Sequence, residues 1–355
     1  MEVLLKTYKH LYPQVCDFEN IYLAYRKARK GKRGRMQAAM FERVQDDELL
    51  ALQGELQTRS YKPGAYHSFF IHDPKKRLIS AAPFRDRVVH HALCRVMEPI
   101  WEGRFIHDSY ANRIGKGTHR ALDRTQEFSR KYKYVLQCDV RQFFPSIDHA
   151  ILMAEFSRLV RDDEFLWLCG LILKSGEGVL TEEYSMNWFA GDDLFFVNRP
   201  RGLPIGNLTS QFWANVYLNE LDHFVKRKLN CEAYIRYVDD FVLFSDNKNL
   251  LSFWRRQIIE KIAELRLTLH ESCAQIYPTV TGIPFLGFRI YPEYRLLKTR
   301  KAIHFRRKLH GLLEEYPNVR MDFEKLNRTI QGWIHYVSYG DTWGLRRSVL
   351  EGVKL

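Results

Sequence analysis

Ala233 to Tyr237 and Phe241 to Phe244 read as two apolar strands separated by Asp239-Asp240, a tight hairpin with carboxylates at its tip. Upstream, Tyr134 to Cys138 is another short apolar strand and ends at Asp139. After a candidate cap at Asp148, helical spacing resumes through Ile151, Leu152, Phe156 and Leu159. Neighbouring strands of one antiparallel sheet would bring Asp139, Asp239 and Asp240 together as a cradle for two magnesium ions, with the carbonyl of Val140 completing the set. Nucleotidyl transfer suits such a cradle, because it asks for positioned charge and little covalent chemistry from the protein. Taken singly, each signal also has a plain reading, since Asp is common in turns and an Asp-Asp tip is usually just solvated.

The rest of the chain narrows the class. With 355 residues, 46% of them hydrophobic and 14% aromatic, the chain can fill the cores of two or three lobes. Its 55 Lys and Arg against 42 Asp and Glu leave a net charge of +13, which favours a polyanionic partner. Residues 17 to 58 read as helical, broken by a basic run of Arg26, Lys27, Arg29, Lys30, Lys32, Arg33 and Arg35, with Gly31 and Gly34 between. Phosphate contact and a solvated face both remain open for that run.

Tyr66 to Ile79 reads as a hairpin turning at Asp73-Pro74-Lys75-Lys76, with Arg77 opening the returning strand, an arrangement that would lay cations over a triphosphate. Asp86 to Met97 is helical, with Arg85 and Arg87 near its start and His90 and His91 as helix-face residues, not metal ligands. Gly176 to Arg201, which holds Gly191-Asp192-Asp193, reads as a loop insertion in preference to a second metal site. Ser210 to Leu229 reads as a long amphipathic helix, 250 to 269 as another, Gly282 to Ile290 as a strand pair, and 300 to 350 as basic helices.

Phe165 to Leu173 falls short of the roughly 20 apolar residues of a membrane span, so it reads as a buried helix and no membrane partner is expected. The start of the sequence lacks the pattern of an export signal, and the six scattered cysteines read as core thiols in a reducing cytoplasm.

Together these blocks resemble reverse transcriptases. Tyr237-Val238-Asp239-Asp240 looks like the YxDD box of that family, and Asp139-Val140-Arg141-Gln142-Phe143-Phe144 looks like its first catalytic aspartate block. The resemblance covers roughly Asp17 to Arg347 and is nearest to the reverse transcriptases of diversity-generating retroelements. The long fingers blocks Lys76 to Leu93, Asp108 to Arg113 and Gly115 to His119 resemble that subgroup, as does Gly202-Leu203-Pro204-Ile205-Gly206-Asn207-Leu208-Thr209-Ser210-Gln211. There Ile205 stands where most reverse transcriptases carry glutamine. That exchange removes an amide able to hydrogen-bond around the nascent base pair.

The resemblance implies an α+β right-hand polymerase: fingers over 1–133 with part of the palm at about 84–105, palm over 134–290, and a helical thumb over 291–355. It implies catalysis by Asp139, Asp239 and Asp240 with two magnesium ions. Triphosphate and nucleotide contacts would come from Lys76, Arg77, Arg85, Phe144, Ile205, Gly206 and Gln211, and primer or template contacts from Tyr237, Arg113, Leu286 and Gly287. Phe144 would be a steric gate against a 2′-hydroxyl, or else a core aromatic, and Ile205 would relax base selection or merely pack.

The implied activity is error-prone copying of a template RNA into cDNA, mutagenic at adenines. A small basic accessory variability protein is the further partner. Retron, intron-encoded and phage-defence reverse transcriptases are the alternatives, and a vestigial RNA-binding scaffold is another. One departure is that Cys273 stands where a lysine is usual before the final palm strand, with His270 as a possible substitute.

Overall fold

The computed structural model describes residues 6–32, 34–72, 76–270, 272–315 and 323–351. Arg33 of the basic run and Asp73 to Lys75 of the expected hairpin turn lie outside these residues.

Four helices open the chain: α1 (Tyr12–Cys16), α2 (Phe18–Arg29), α3 (Met36–Arg43) and α4 (Gln45–Gln57). Asp17 caps α2 by accepting from the Asn20 amide, and the helix buries Ile21, Ala24, Tyr25 and Ala28 at helical spacing. An antiparallel hairpin follows, β1 (His67–Ile71) with β2 (Arg77–Ala81), and then α5 (Phe84–Glu102), on which α2 packs. After α6 (Thr118–Lys131) comes the central strand β3 (Tyr134–Asp139).

Short α7 (Phe143–Ser146), α8 (His149–Leu159) and α9 (Asp163–Ser175) lead into the irregular stretch up to Arg201, whose only regular pieces are two short 3-10 turns. Asp148 does cap α8, accepting from the Ile151 amide at 3.0 Å.

Next, α10 (Leu208–His223) precedes β4 (Tyr234–Tyr237) and β5 (Asp240–Ser245), and α11 (Lys248–Glu264) precedes β6 (Gln275–Pro278). Contrary to the amphipathic expectation, α10 is buried on most sides, through Thr209, Phe212, Trp213, Asn215, Tyr217 and Asp222 among others. It ends at His223 and continues as a π turn to Lys228.

The palm sheet is four-stranded and antiparallel in the order β4-β5-β3-β6. Its two faces follow strand alternation. Leu136, Cys138, Tyr234, Phe241 and Leu243 enter the main core with residues of α5, α8, α10 and α11. Val135, Ile235, Val242 and Phe244 face a second cluster with Leu122 and Phe128 of α6.

A three-stranded sheet, β7 (Ile283–Phe285), β8 (Phe288–Ile290) and β9 (Arg295–Leu297), closes that second cluster. β9 pairs with β8 and extends this sheet past Ile290.

The chain ends in α12 (Thr299–Glu315), α13 (Phe323–Val337) and α14 (Trp343–Leu350), with their own core in which Phe305 and Trp333 stack at 4.1 Å. Phe165 to Leu173 lies within α9 and buries Phe165, Leu168, Cys169, Ile172 and Leu173. No helix among the described residues is long and apolar enough to cross a membrane. Five of the cysteines are buried, but Cys273 is exposed, because it falls in the turn before β6 and not in a packed element.

Candidate active site

The β4–β5 hairpin turns on Val238 and Asp239, so Asp240 is already the first residue of β5, paired with Tyr237. Only Asp239 is therefore in the turn, whereas the sequence pattern puts both carboxylates at the tip. Val238 adopts φ +57°, a left-handed conformation that a β-branched side chain disfavours. Asp139, at the end of β3, is the register partner of Asp240. Its neighbour Val140 donates its amide to the Asp239 carbonyl at 3.3 Å, and the His270 amide donates to the Asp139 carbonyl at 2.8 Å. Backbone bonds from two directions thus gather the three aspartates.

All three line one cleft of about 660 Å³, together with Val140, a size suited to a nucleotide-scale ligand. Like charges directly opposite each other on adjacent strands are destabilising. Asp139 stands directly across the strand pair from Asp240, so a cation bound in the cleft would be attracted by both. Among the described residues, no group of three or more His, Cys, Asp or Glu side chains is drawn to ligating distance. The hard oxygen donors nevertheless fit magnesium, which keeps several waters and is usually held by one or two carboxylates plus substrate phosphates.

The cleft walls carry most of the remaining expected residues. Lys76, Arg77, Phe144, Ile205, Tyr237 and Leu286 all line it. The Lys76 ammonium sits over the Phe70 ring at 4.2 Å, which holds it on the hairpin. Phe143 is buried at 2% exposure, while Phe144 is half-buried on the wall, its ring 5.4 Å from that of Phe143. Ile205 is half-buried, and its carbonyl accepts from the Ser80 amide at 2.8 Å, joining β2 to the wall. Beside it, Asn207 accepts from the Ala82 amide and donates to the Ser80 and Pro204 carbonyls.

Five expected residues are not part of the cleft lining. Arg85 is held by Glu48 at 3.1 Å and Glu55 at 2.6 Å, so its charge links α5 to α4 by ion pairs. Arg113 is bound to Glu102 and to the Ile106 and Ser109 carbonyls, and only 6% of its side chain is exposed. Gln211 is exposed on the first turn of α10 and does not line the cleft. Gly206, at φ +118°, lies behind Ile205, where a Cβ would come within 3.0 Å of the Ile79 side chain. Gly287, at φ +93°, adjoins the cleft through Leu286, and the Tyr336 hydroxyl lies where its Cβ would be.

His270, expected as a possible substitute for the usual lysine, lines the cleft. So do residues that the sequence pattern does not single out: Arg141, and Leu180 and Glu183 of the insertion. Gln142 ties that insertion down by donating to the Glu183 carbonyl and accepting from the Ser185 amide. Asp192 of the insertion accepts two hydrogen bonds from Arg266, which accounts for one carboxylate of the Asp192-Asp193 pair. The His270 ring is hydrogen-bonded through Nδ1 to Ser272 Oγ at 2.9 Å, next to exposed Cys273. The signal that could have revealed Arg236 was a charge inside an otherwise apolar strand: it is wholly buried two residues before the turn.

Comparison with known proteins places this geometry. The model of the family described as "Reverse transcriptase (RNA-dependent DNA polymerase)" matches residues 67–290. The chain is 27% identical over 317 residues to Protein YkfC of Escherichia coli (strain K12), covering 75% of this chain and 79% of that one. It is 25% identical over 183 residues to the group II intron-encoded protein LtrA of Lactococcus lactis subsp. cremoris, covering 51% of this chain but only 28% of that protein. Nuclear intron maturase 2, mitochondrial, of Arabidopsis thaliana is 27% identical over 178 residues, covering 45% of this chain and 24% of the maturase. A solved telomerase from Candida albicans aligns with 83% of this chain and 56% of its own, at a TM-score of 0.45 and 11% identity.

Proposed function

The chain belongs to the reverse transcriptase family, and from that premise we propose that it is an active RNA-directed DNA polymerase whose copying is error-prone opposite template adenines. The polymerase reading is supported by Asp139, Asp239, Asp240 and Val140 lining one cleft together with Lys76, Arg77 and Arg141. When bound there, magnesium supplies a lowered barrier for the attacking hydroxyl and a stabilised leaving oxygen. The chain's own residues do the positioning. Lys76 and Arg77 reach over the triphosphate, Phe144 stands against the 2′ position, and Leu286 with Gly287 supports the primer end, while Tyr237 sits below the base pair.

One observation carries the error-prone part of the proposal. Ile205 presents an aliphatic side chain on the cleft wall, where an amide would impose hydrogen-bond geometry on the nascent pair. Leu78 and Phe144 line the same cleft. With this reading go a structured template RNA, a cDNA product and a small basic accessory variability protein, the last on resemblance to the retroelement subgroup alone.

A second reading, an intron-type reverse transcriptase, is favoured by the intron-linked relatives. Extension of a primed RNA with magnesium, followed by sequencing of the cDNA, separates the two. Errors concentrated at template adenines, and reduced in Ile205→Gln, support the proposal. Accurate copying by the wild type favours the intron-type reading, and no cDNA even with the accessory protein present refutes polymerase activity.

A further inference from the structure

Arg236 is a charged residue at 0% exposure in the very strand that leads to the catalytic turn. Its partners are unusually complete. Nε donates to Asp222 Oδ1 and Nη2 to Asp222 Oδ2, both at 2.7 Å, which is a bidentate pair. Nη1 donates to Asn215 Oδ1 at 3.0 Å and to the Val238 carbonyl at 3.1 Å. Four of the five N–H donors of a guanidinium are thereby engaged.

The anchors on the other side are equally fixed. Asp222 and Asn215 both lie on α10, at 0% and 1% exposure. Asp222 also accepts from the Tyr234 hydroxyl at 2.8 Å, and Asn215 donates to the Ala111 carbonyl at 2.8 Å. The backbone of Arg236 is held as well, its amide donating to the Asp108 carbonyl and its carbonyl accepting from the Tyr110 amide. Burial disfavours the charge of Arg236, but Asp222, and farther off Asp239, favour it, and the guanidinium ends above its ordinary pKa.

A buried ion pair is weak support for stability, because apolar residues of similar volume usually serve at least as well. What apolar residues cannot do is grip a carbonyl. The carbonyl gripped here belongs to Val238, the residue in the left-handed conformation next to Asp239.

We propose that Arg236, locked to Asp222, is a positioning residue that holds the Val238–Asp239 turn so that Asp239 faces the same cleft as Asp139 and Asp240. The inference rests on the polymerase reading and deepens it.

The test removes the buried ion pair with its tyrosine, Arg236→Met, Asp222→Leu and Tyr234→Phe combined, so that no charge is orphaned and only Asn215 Oδ1 and the Val238 carbonyl lose a donor. The expected result is a thermal midpoint close to that of the wild type, with kcat for extension of a primed RNA reduced roughly 100-fold, the scale of a 1 Å misplacement, and KM for the nucleotide little changed. Without substrate, the rise in thermal midpoint on adding magnesium should shrink. If the triple variant does not fold, Arg236→Lys serves, since an ammonium keeps the buried charge but cannot span both Asp222 oxygens and the Val238 carbonyl. The same loss of kcat is expected from it.

A folded variant with wild-type kcat and an unchanged magnesium response overturns the inference, as does a loss of activity that only tracks the loss of folded protein. A wild type that makes no cDNA refutes the polymerase reading itself.

Discussion

The Tyr336 hydroxyl on α13 donates to the Leu286 carbonyl at 3.1 Å, so a C-terminal helix is hydrogen-bonded to a turn that lines the aspartate cleft. Gly287 makes room for that contact, since a Cβ there would fall 2.3 Å from the same hydroxyl. Gly287→Ala should therefore destabilise the protein by about 1 to 3 kcal/mol through the clash and the positive φ. Tyr336→Phe should leave single-nucleotide addition unchanged but lower the number of nucleotides added per binding event. Combined, the two should be less destabilised than Gly287→Ala alone, because the clashing oxygen is gone. Denaturant titration of the four proteins checks this coupling.

Neutralising the aspartates should separate activity from stability. Asp139→Asn and Asp239→Asn should each lower primer extension by roughly a thousandfold or more, a scale of about 4 kcal/mol in barrier. Chelating magnesium should do the same to the wild type. In the chelated state, Asp240→Asn should be slightly more stable than the wild type, by roughly 0.5 kcal/mol, because it relieves repulsion with Asp139 across the strand pair. Thermal midpoints measured with chelator present decide the sign.

Phe144→Ala should admit ribonucleotides. Because the ring is only half-buried, the stability cost should be below the 3 to 5 kcal/mol typical of a core phenylalanine. The readout is the ratio of deoxynucleotide to ribonucleotide incorporation. An unchanged ratio would return Phe144 to a packing role.

The histidines of α5 should make the protein acid-sensitive. Burial depresses His90 to about 3, with His91 and Arg87 adding to it, and depresses His91 to about 4, with Lys32, Lys27 and Arg95 adding to it. Unfolded histidines titrate near 6.5, so below about pH 6.5 the unfolded chain binds more protons than the folded one and stability falls as the pH falls. The slope is at most about 1.4 kcal/mol per pH unit for each histidine, and less for the partly exposed His91. Urea unfolding at about pH 7.5 and about pH 5 should show a smaller drop in His90→Gln/His91→Gln than in the wild type.

What could be read from the residues was mostly local. Strands ending in Asp139 and flanking Asp239-Asp240, the Asp148 cap and the α2 and α5 helices all follow from patterns a few residues long. What escaped depends on partners far away in the chain. Arg85 looked available until α4 brought Glu48 and Glu55 to it, and Arg113 until Glu102 did the same. Arg236 escaped for the opposite reason: its charge interrupts an apolar strand, and only α10 supplies the carboxylate that makes burial tolerable. β9 is three residues long and carries no alternating pattern, so nothing marked it before its pairing with β8 was seen.

The bond from the Ser80 amide to the Ile205 carbonyl, doubled by Asn207, ties the strand that delivers Arg77 to the residue at the heart of the fidelity proposal. In evolutionary terms, the proposal makes accuracy and nucleotide grip linked traits. A substitution along β2 selected for speed would shift the wall at Ile205 with it, and a lineage drifting toward sloppier or stricter copying need never alter Ile205 itself.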